Sequence, residues 1–193
     1  MSKFSVLILA GGKSSRMGQD KACLQFAGQS LLQHMQQLAT QAGASQVLIS
    51  RNQKGYIQDL QPEQGPLAGI LAALPHCQHK RLLVLPIDTP LLSTQALQLL
   101  LQQSAAAACF NQSPLPCLLT INSQLQHVIS QQLTKQQRSI KQLLNALNAS
   151  SVDIDETQLL NTNTPADWQA FLQQQTTLSC SLQTAQKQSK SSN

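Results

Sequence analysis

The sequence is poor in aromatic and charged residues, and both shortages narrow the kinds of protein it can be. Only 3% of the residues are aromatic, so few side chains are available to stack on the bases of single-stranded nucleic acid. The formal net charge of +5 is compatible with an anionic partner, but the cluster of Lys13, Arg16 and Lys21 in one glycine-bearing loop favours a phosphate ligand over a broad basic face. We therefore expect no nucleic-acid partner, and a core built from Leu, Ile, Val and Ala.

The sequence also lacks the patterns of a disulfide framework and of a membrane span. Its five cysteines are an odd number and form no Cys-x-x-Cys pair, which favours a reducing compartment. No apolar run reaches the length of about 18 residues that a spanning helix needs. Residues 1–10 are too short for a signal peptide with its flanks. These absences predict a cytoplasmic protein with no membrane partner.

The order of apolar and polar segments predicts one α/β domain, which we place at residues 1–174. Strands that alternate with helices imply right-handed crossovers and a mainly parallel sheet. Residues 175–193 are rich in Gln and Ser and are expected to form a disordered tail. The predicted strands are 4–10, 47–49, 81–85, 105–110, 115–121 and 152–154, and the predicted helices begin near Ser30, Gly65, Ser93, Gln124, Arg138 and Pro165.

A glycine-bearing loop with basic residues follows the first predicted strand and reads LAGGKSSRMGQDK from Leu9 to Lys21. Gly11 and Gly12 let the backbone approach a ligand closely, so that successive N–H groups can cradle phosphate oxygens. Arg16 and Lys21 add positive charge beside them. The spacing matches neither a P-loop nor the dinucleotide-binding fingerprint. The loop therefore predicts a phosphate site of another kind.

An acidic residue ends the strand predicted at residues 81–85. Asp88 follows this strand within VLPIDTPLL, and the carboxyl ends of parallel strands lie at the edge where α/β proteins bind ligands. We expect Asp88 to meet the glycine-bearing loop there, where a carboxylate and phosphate oxygens together suit Mg²⁺. The alternative is that Asp88 only caps the helix that follows it.

Several segments, in this order, resemble the molybdenum cofactor guanylyltransferases, the MobA family. They are the loop from Leu9 to Lys21, Gly65-Pro66-Leu67-Ala68-Gly69, Pro86-Ile87-Asp88-Thr89-Pro90, Arg138-Ser139-Ile140 and Asn161-Thr162-Asn163-Thr164-Pro165. The resemblance covers roughly residues 4–173. It implies the Rossmann-like, three-layer nucleotidyltransferase fold of that family.

The resemblance also implies roles for single residues. The nucleotide-binding residues would be Leu9, Ala10, Gly11, Gly12, Lys21, Ser50, Asp59 and Asp88; the catalytic residues would be Arg16, Lys21 and Asp88, of which Asp88 also binds Mg²⁺; and the acceptor-binding residues would be Arg138 and Ser139. The family often has Asn at the position of Ser50, so either Ser50 or the nearby Asn52 makes that contact. It often has His-Pro where this chain has Ser113-Pro114. Lys135, Arg138 and Lys141 are expected to share one face of a helix.

The implied activity is transfer of GMP from GTP to the phosphate of the molybdopterin cofactor, with Mg²⁺ as cofactor and pyrophosphate as the second product. Proteins that insert the molybdenum cofactor and the apo-enzymes that receive it are the implied partners. Two alternatives stay open. One is a cytidylyltransferase or sugar-phosphate nucleotidyltransferase of the same fold, although cytidylyl relatives tend to carry LAAG where this chain has LAGG. The other is a non-catalytic carrier of nucleotide or cofactor, against which Lys21 and Asp88 argue.

Overall fold

The computed structural model of the chain describes residues 3–11, 20–59, 64–162 and 164–173. Gly12, Arg16, Asn163 and the predicted tail at residues 175–193 lie outside them, so the predicted domain boundary stays a prediction. The strands are β1 (Ser5–Leu9), β2 (Gln25–Phe26), β3 (Gln29–Ser30), β4 (Gln46–Ser50), β5 (Arg81–Pro86), β6 (Ala107–Phe110), β7 (Cys117–Thr120) and β8 (Ser150–Val152). The helices are α1 (Leu31–Gln41), α2 (Pro66–Ala73), α3 (Thr94–Leu101), α4 (Ser123–Thr134), α5 (Ile140–Ala146) and α6 (residues 165–173).

Six strands form one sheet in the order β4-β1-β5-β7-β6-β8, while β2 and β3 form a separate hairpin. The pairs β1–β4, β1–β5 and β6–β8 are parallel, and β7 runs antiparallel to both of its neighbours. Every residue of β1 is buried, as expected of a parallel strand covered on both faces. The predicted α/β fold with a mainly parallel sheet is confirmed.

Helices cover both faces of the sheet and divide the core into two apolar layers. Side chains of α1, α3 and α6 pack in one layer, and those of α2, α4 and α5 pack in the other. Successive residues of β1 alternate between the layers, with Ile8 in the first and Leu7 in the second. Both layers are mainly aliphatic, as the composition predicts. Among the described helices, none is long and apolar enough to cross a membrane.

Side-chain caps determine where α1 and α3 begin. The Ser30 hydroxyl accepts from the backbone N–H of Gln33 at 3.2 Å, and the Gln33 side chain accepts from the backbone N–H of Ser30 at 3.0 Å. The Ser93 hydroxyl accepts from the backbone N–H of Ala96 at 3.1 Å. Beyond α1, Gly43 has a φ of +90°, which favours glycine and turns the chain away from the helix. These predicted helix boundaries are confirmed.

The predicted helical face shared by Lys135, Arg138 and Lys141 is wrong. Lys135 caps the C-terminal end of α4, and Lys141 lies in the first turn of α5. Between them Gln136 adopts a left-handed φ of 57°, which ends the first helix, and Arg138 lies in the connection. The three basic residues therefore belong to two helices and the segment that joins them.

Candidate active site

The carboxyl ends of β4, β1 and β5 lie side by side at one edge of the sheet. Leu9 pairs in register with Ser50 of β4 on one side and with Pro86 of β5 on the other. Two hydrogen bonds continue this pairing: the Ala10 N–H donates to the Ser50 carbonyl at 2.9 Å, and the Ile87 N–H donates to the Leu9 carbonyl at 3.2 Å. The loops that follow the three strands therefore leave the sheet together, at the edge where such folds bind ligands.

An ion pair joins the loop after β1 to the loop after β5. The Lys21 Nζ atom donates to Asp88 Oδ2 at 2.8 Å, across 67 positions of sequence. The two side chains are only 15% and 20% exposed, so solvent screens their attraction incompletely. The expected meeting of Asp88 with the basic loop is thus observed. The catalytic, nucleotide-binding and metal-binding roles of the two residues stay predictions, as does the role of Arg16.

A second ion pair joins the loop after β1 to the loop after β4. An Nη2 hydrogen of Arg51 is donated to Asp20 Oδ2. The other carboxylate oxygen of Asp20 accepts from the Ala22 N–H at 3.0 Å and so caps the 3₁₀ turn Lys21–Cys23. The Arg51 guanidinium carbon lies 5.4 Å from the centre of the Tyr56 ring, within the range of a cation–π contact.

The loop after β4 turns back beside the strand and carries Asp59. Ile57 forms an isolated parallel bridge with Ser50. Farther out, Asn52 Nδ2 donates to Asp59 Oδ2 at 3.1 Å, and Asn52 Oδ1 accepts from the Asp59 N–H at 2.9 Å. The amide of Asn52 therefore holds Asp59, whereas Ser50 is buried. The choice between Ser50 and Asn52 as the nucleotide contact stays a prediction.

Two glycines let α2 approach its neighbours. A Cβ atom on Gly69 would lie 2.6 Å from Ser50 Oγ and 3.3 Å from Leu9 Cδ2, which is too close without movement. Gly65 caps the start of α2 with a φ of 74°, and a Cβ atom there would lie 3.6 Å from Arg138 Cβ. Gly65 precedes Gly69 by about one helical turn, or roughly 6 Å. Arg138 therefore lies near the same edge of the sheet, beside the start of α2.

The two predicted acceptor residues lie in the connection between α4 and α5, and both are exposed. Ser139 is the N-cap of α5, where its hydroxyl oxygen accepts from the Gln142 N–H at 3.4 Å. A capping hydroxyl still carries a hydrogen that it can donate to a ligand. Ser113, at the position where the family often has His, donates to the Leu115 carbonyl at 2.9 Å. Contacts of Arg138 and Ser139 with an acceptor stay predictions.

A metal ion at this edge would need ligands from the nucleotide as well as from the protein. Among the described residues, no three His, Cys, Asp or Glu side chains lie together as a possible metal group. Mg²⁺ commonly uses one or two carboxylates and takes its other ligands from phosphate oxygens and water. Asp88, beside the loop that Lys21 ends, fits that pattern of donors.

The sequence matches the model of the MobA-like NTP transferase domain over residues 6–152. This chain belongs to the MobA-like NTP transferase family. It is 35% identical to the molybdenum cofactor guanylyltransferase of Xanthomonas euvesicatoria pv. vesicatoria (strain 85-10), over 86% of this chain and 93% of that protein. It is 33% identical to the molybdenum cofactor guanylyltransferase of Pseudomonas paraeruginosa (strain DSM 24068 / PA7), over 83% and 90% of the two chains. The family indicated by the ordered motifs is confirmed, and the MobA-like chain is a nucleotidyltransferase.

A solved structure shares this MobA-like fold. The crystal structure of molybdopterin-guanine dinucleotide biosynthesis protein A from Archaeoglobus fulgidus superposes with a TM-score of 0.71 at 21% identity, over 86% of this chain and 95% of that one. At this level of identity the likeness establishes the nucleotidyltransferase fold alone.

Asp20 and Arg51 also belong to this site, although neither was predicted from the sequence. Asp20 lies inside the glycine-bearing loop, where roles were predicted for the strand end, the glycines and the basic residues but not for Asp20. The sequence does carry a signal for both residues. Only 11% of the residues are charged, so each charged residue near a predicted strand end is informative, and Arg51 follows a predicted strand directly. The sequence does not reveal that the two side chains meet, since this depends on the pairing of β1 with β4.

Proposed function

We propose that this MobA-like enzyme transfers GMP from GTP to the phosphate of the molybdopterin cofactor, forming the guanine dinucleotide cofactor and releasing pyrophosphate. The observation that supports this most is the contact of Lys21 with Asp88 at the joined ends of β1 and β5. A cation and a carboxylate at this edge suit a metal-bound triphosphate. The names of the curated relatives support guanine as the base and the molybdenum cofactor as the acceptor.

The nucleotide half of the site consists of the residues that follow β1, β4 and β5. Leu9, Ala10, Gly11 and Gly12 line the base and phosphates; Arg16 and Lys21 hold the triphosphate; and Ser50, Asp59 and Asp88 complete the contacts. Asn52 acts here by holding Asp59 through the two hydrogen bonds between them. Among the described residues, a Cβ atom on Gly11 would lie at ordinary distances, 3.6 Å from the Arg51 Cα atom and from the Ser50 carbonyl oxygen. Gly11 is therefore not required for packing against the end of β4, which leaves it available as a determinant of base choice.

The chemistry is positioning and charge stabilisation. An oxygen of the acceptor phosphate attacks the α-phosphorus of GTP, and the bond from that phosphorus to the pyrophosphate oxygen breaks. The attacking oxygen is already anionic, so no general base is required. Asp88 would hold Mg²⁺, which when bound neutralises phosphate oxygens as charge develops. Lys21 and Arg16 stabilise the same charge and the departing pyrophosphate.

The acceptor half of the site consists of Gly65, Arg138 and Ser139. Arg138 is exposed, and its Cβ atom lies beside Gly65 at the start of α2. Arginine suits a phosphate because its planar fork donates two parallel hydrogen bonds. Ser139 adds a hydroxyl donor at the start of α5. Delivery of the product in the cytoplasm, through proteins that insert the cofactor into apo-enzymes, is part of the same proposal.

Binding and turnover together test this function. In calorimetry with Mg²⁺, GTP should bind well above CTP, and pyrophosphate should appear only when GTP and the molybdopterin acceptor are both present. Better binding of CTP would favour a cytidylyltransferase. Tight binding of GTP with no pyrophosphate at any acceptor concentration would instead favour a carrier of nucleotide or cofactor.

A further inference from the structure

Arg51 is a charged side chain for which the proposed chemistry has no direct use, and its placement needs an explanation. It is the one charged residue buried among the described parts of the chain, at 8% exposure. Burial of an ionised group costs several kcal/mol unless partners compensate it. Its partners here are the Asp20 carboxylate and the Tyr56 ring.

The acidic partner of Arg51 lies directly before Lys21. Asp20 immediately precedes the turn Lys21–Cys23. One carboxylate oxygen of Asp20 accepts from the Ala22 N–H, and the other accepts from Arg51. Through Asp20, the guanidinium therefore holds the start of the short turn that carries Lys21.

The backbone fixes Arg51 itself at the end of β4. Its N–H donates to the Ile57 carbonyl at 2.9 Å, and its carbonyl accepts from the Gln53 N–H at 2.7 Å. The preceding Ser50 is in register with Leu9. Backbone hydrogen bonds thus fix Arg51 directly after β4. Asp20, with which Arg51 pairs, belongs to the glycine-bearing loop.

We propose that Arg51 is a positioning residue of the nucleotide half: through Asp20 it holds the turn Lys21–Cys23 so that the Lys21 ammonium group is presented to Asp88 and to the triphosphate. The geometry requires no contact of Arg51 with the nucleotide. This inference depends on the nucleotide-binding part of the proposed function, but not on the identity of the base or of the acceptor.

The charge state of Arg51 suits this role. Burial lowers the pKa of Arg51, but attraction to Asp20 and hydrogen bonds to Cys23 and Asp20 outweigh that effect, so the pKa is raised from its ordinary value. The guanidinium therefore stays positive throughout the pH range in which the enzyme can be assayed.

A double-mutant cycle with Lys21 tests the proposal. Arg51→Gln should weaken binding of Mg²⁺-GTP about tenfold, the factor expected from losing one charge-assisted hydrogen bond. In the Lys21→Ala background the same change should have almost no further effect, because the side chain that Arg51 positions is absent. Affinities measured by competition with a fluorescent nucleotide, for GTP and for CTP, give both results without any turnover.

Arg81 supplies the matched control. Its guanidinium donates to the Gln103 carbonyl at 2.7 Å from the start of β5, at the opposite edge of the sheet. Arg81→Gln also removes an arginine hydrogen bond, so it should change the melting temperature without changing nucleotide affinity. Arg51→Lys, which keeps the charge but loses the planar fork, should restore part of the lost affinity.

A second arm keeps the test informative if Arg51→Gln fails to fold. Asp20→Asn retains an oxygen that can cap the Ala22 N–H but removes the charge that pairs with Arg51, so it should reproduce the loss and its dependence on Lys21.

A loss that persists in full in the Lys21→Ala background would overturn the proposal in favour of direct contact between Arg51 and the nucleotide. Unchanged affinity with a lowered melting temperature would reduce Arg51 to a purely structural residue. Because the cycle is run with both nucleotides, an unexpected preference for CTP would contradict the guanylyl assignment and leave this test intact.

Discussion

In the proposed site, the nucleotide half and the acceptor half are held by different kinds of contact. In the nucleotide half, side chains from separate loops meet directly, as Lys21 meets Asp88 and Arg51 meets Asp20. In the acceptor half, backbone packing at Gly65 places Arg138, whose own side chain is exposed. The first arrangement brings opposite charges together inside the fold, whereas the second places an arginine at an exposed position.

This difference leads to different expectations for mutations. Fixed charges act strongly on a developing transition state because they need no reorganisation. Solvent screens the charge of an exposed arginine, so its net contribution to affinity is smaller. Substitutions in the nucleotide half should therefore reduce turnover most, and substitutions in the acceptor half should mainly affect binding of the acceptor.

The largest effect is expected at Asp88. Asp88→Ala should lower the rate of pyrophosphate release about 10²-fold or more, because a charge-stabilising group of the transition state is removed. The residue follows β5 outside the apolar layers, so the melting temperature should change little. Asp88→Asn is the matched variant, since it keeps the shape of the side chain without its charge. Near-normal activity in both would contradict a metal-binding or charge-stabilising role for Asp88, which does not cap the following helix either, since Ser93 does so.

A smaller, selective effect is expected at Arg138. Arg138→Ala should raise the acceptor concentration needed for half-maximal rate about tenfold and leave GTP affinity unchanged, because one bidentate phosphate contact is lost. Lys135→Ala is the control, since Lys135 is an exposed basic residue at the end of α4. If GTP affinity falls instead, the two halves have been assigned wrongly.

The junction between the halves is expected to show a modest effect on stability. Gly69→Ala places a methyl group 2.6 Å from Ser50 Oγ and should cost about 1–3 kcal/mol of unfolding free energy through overpacking. Adding Ser50→Ala removes the nearest atom and should recover most of that loss in thermal or urea unfolding. A stable Gly69→Ala protein would show that α2 can move away from the strand ends freely.

No effect is expected from the predicted tail, which belongs to neither half. Truncation from Thr176 onward removes residues with little apolar content, so activity and melting temperature should stay as they are. Trp168→Ala is the control for the melting assay, because Trp168 is buried at 5% exposure. A clear drop in melting temperature after truncation would assign the tail to the folded domain.

The sequence predicted those parts of the fold that short segments encode by themselves. Apolar runs identified the buried strands, and Ser30 and Ser93 marked the starts of helices. Because parallel strands end at one edge, the meeting of the loop with Asp88 could be expected from the order of elements alone. Gly69 was also recognised within its motif, although the contact with Ser50 that requires it was not visible in the sequence.

Other features depended on contacts or conformations that carry no local signal. The left-handed Gln136 separates α4 from α5, and glutamine is not a residue that marks such a position. The β2–β3 hairpin turns at Ala27 and Gly28, both with positive φ, but its strands of two residues are too short for a periodic pattern. The pairing of Arg51 with Asp20 depends on strand register.

The most direct test of guanylyl transfer is to follow the α-phosphate of GTP. Purified enzyme is incubated with Mg²⁺, the molybdopterin acceptor and GTP that is labelled either at the α-phosphate or at the γ-phosphate. Guanylyl transfer predicts that α-label enters the acceptor product and that γ-label leaves as pyrophosphate, with both processes about 10²-fold or more slower in Asp88→Ala. Entry of γ-label into the acceptor, or retention of both labels in bound GTP, would contradict guanylyl transfer.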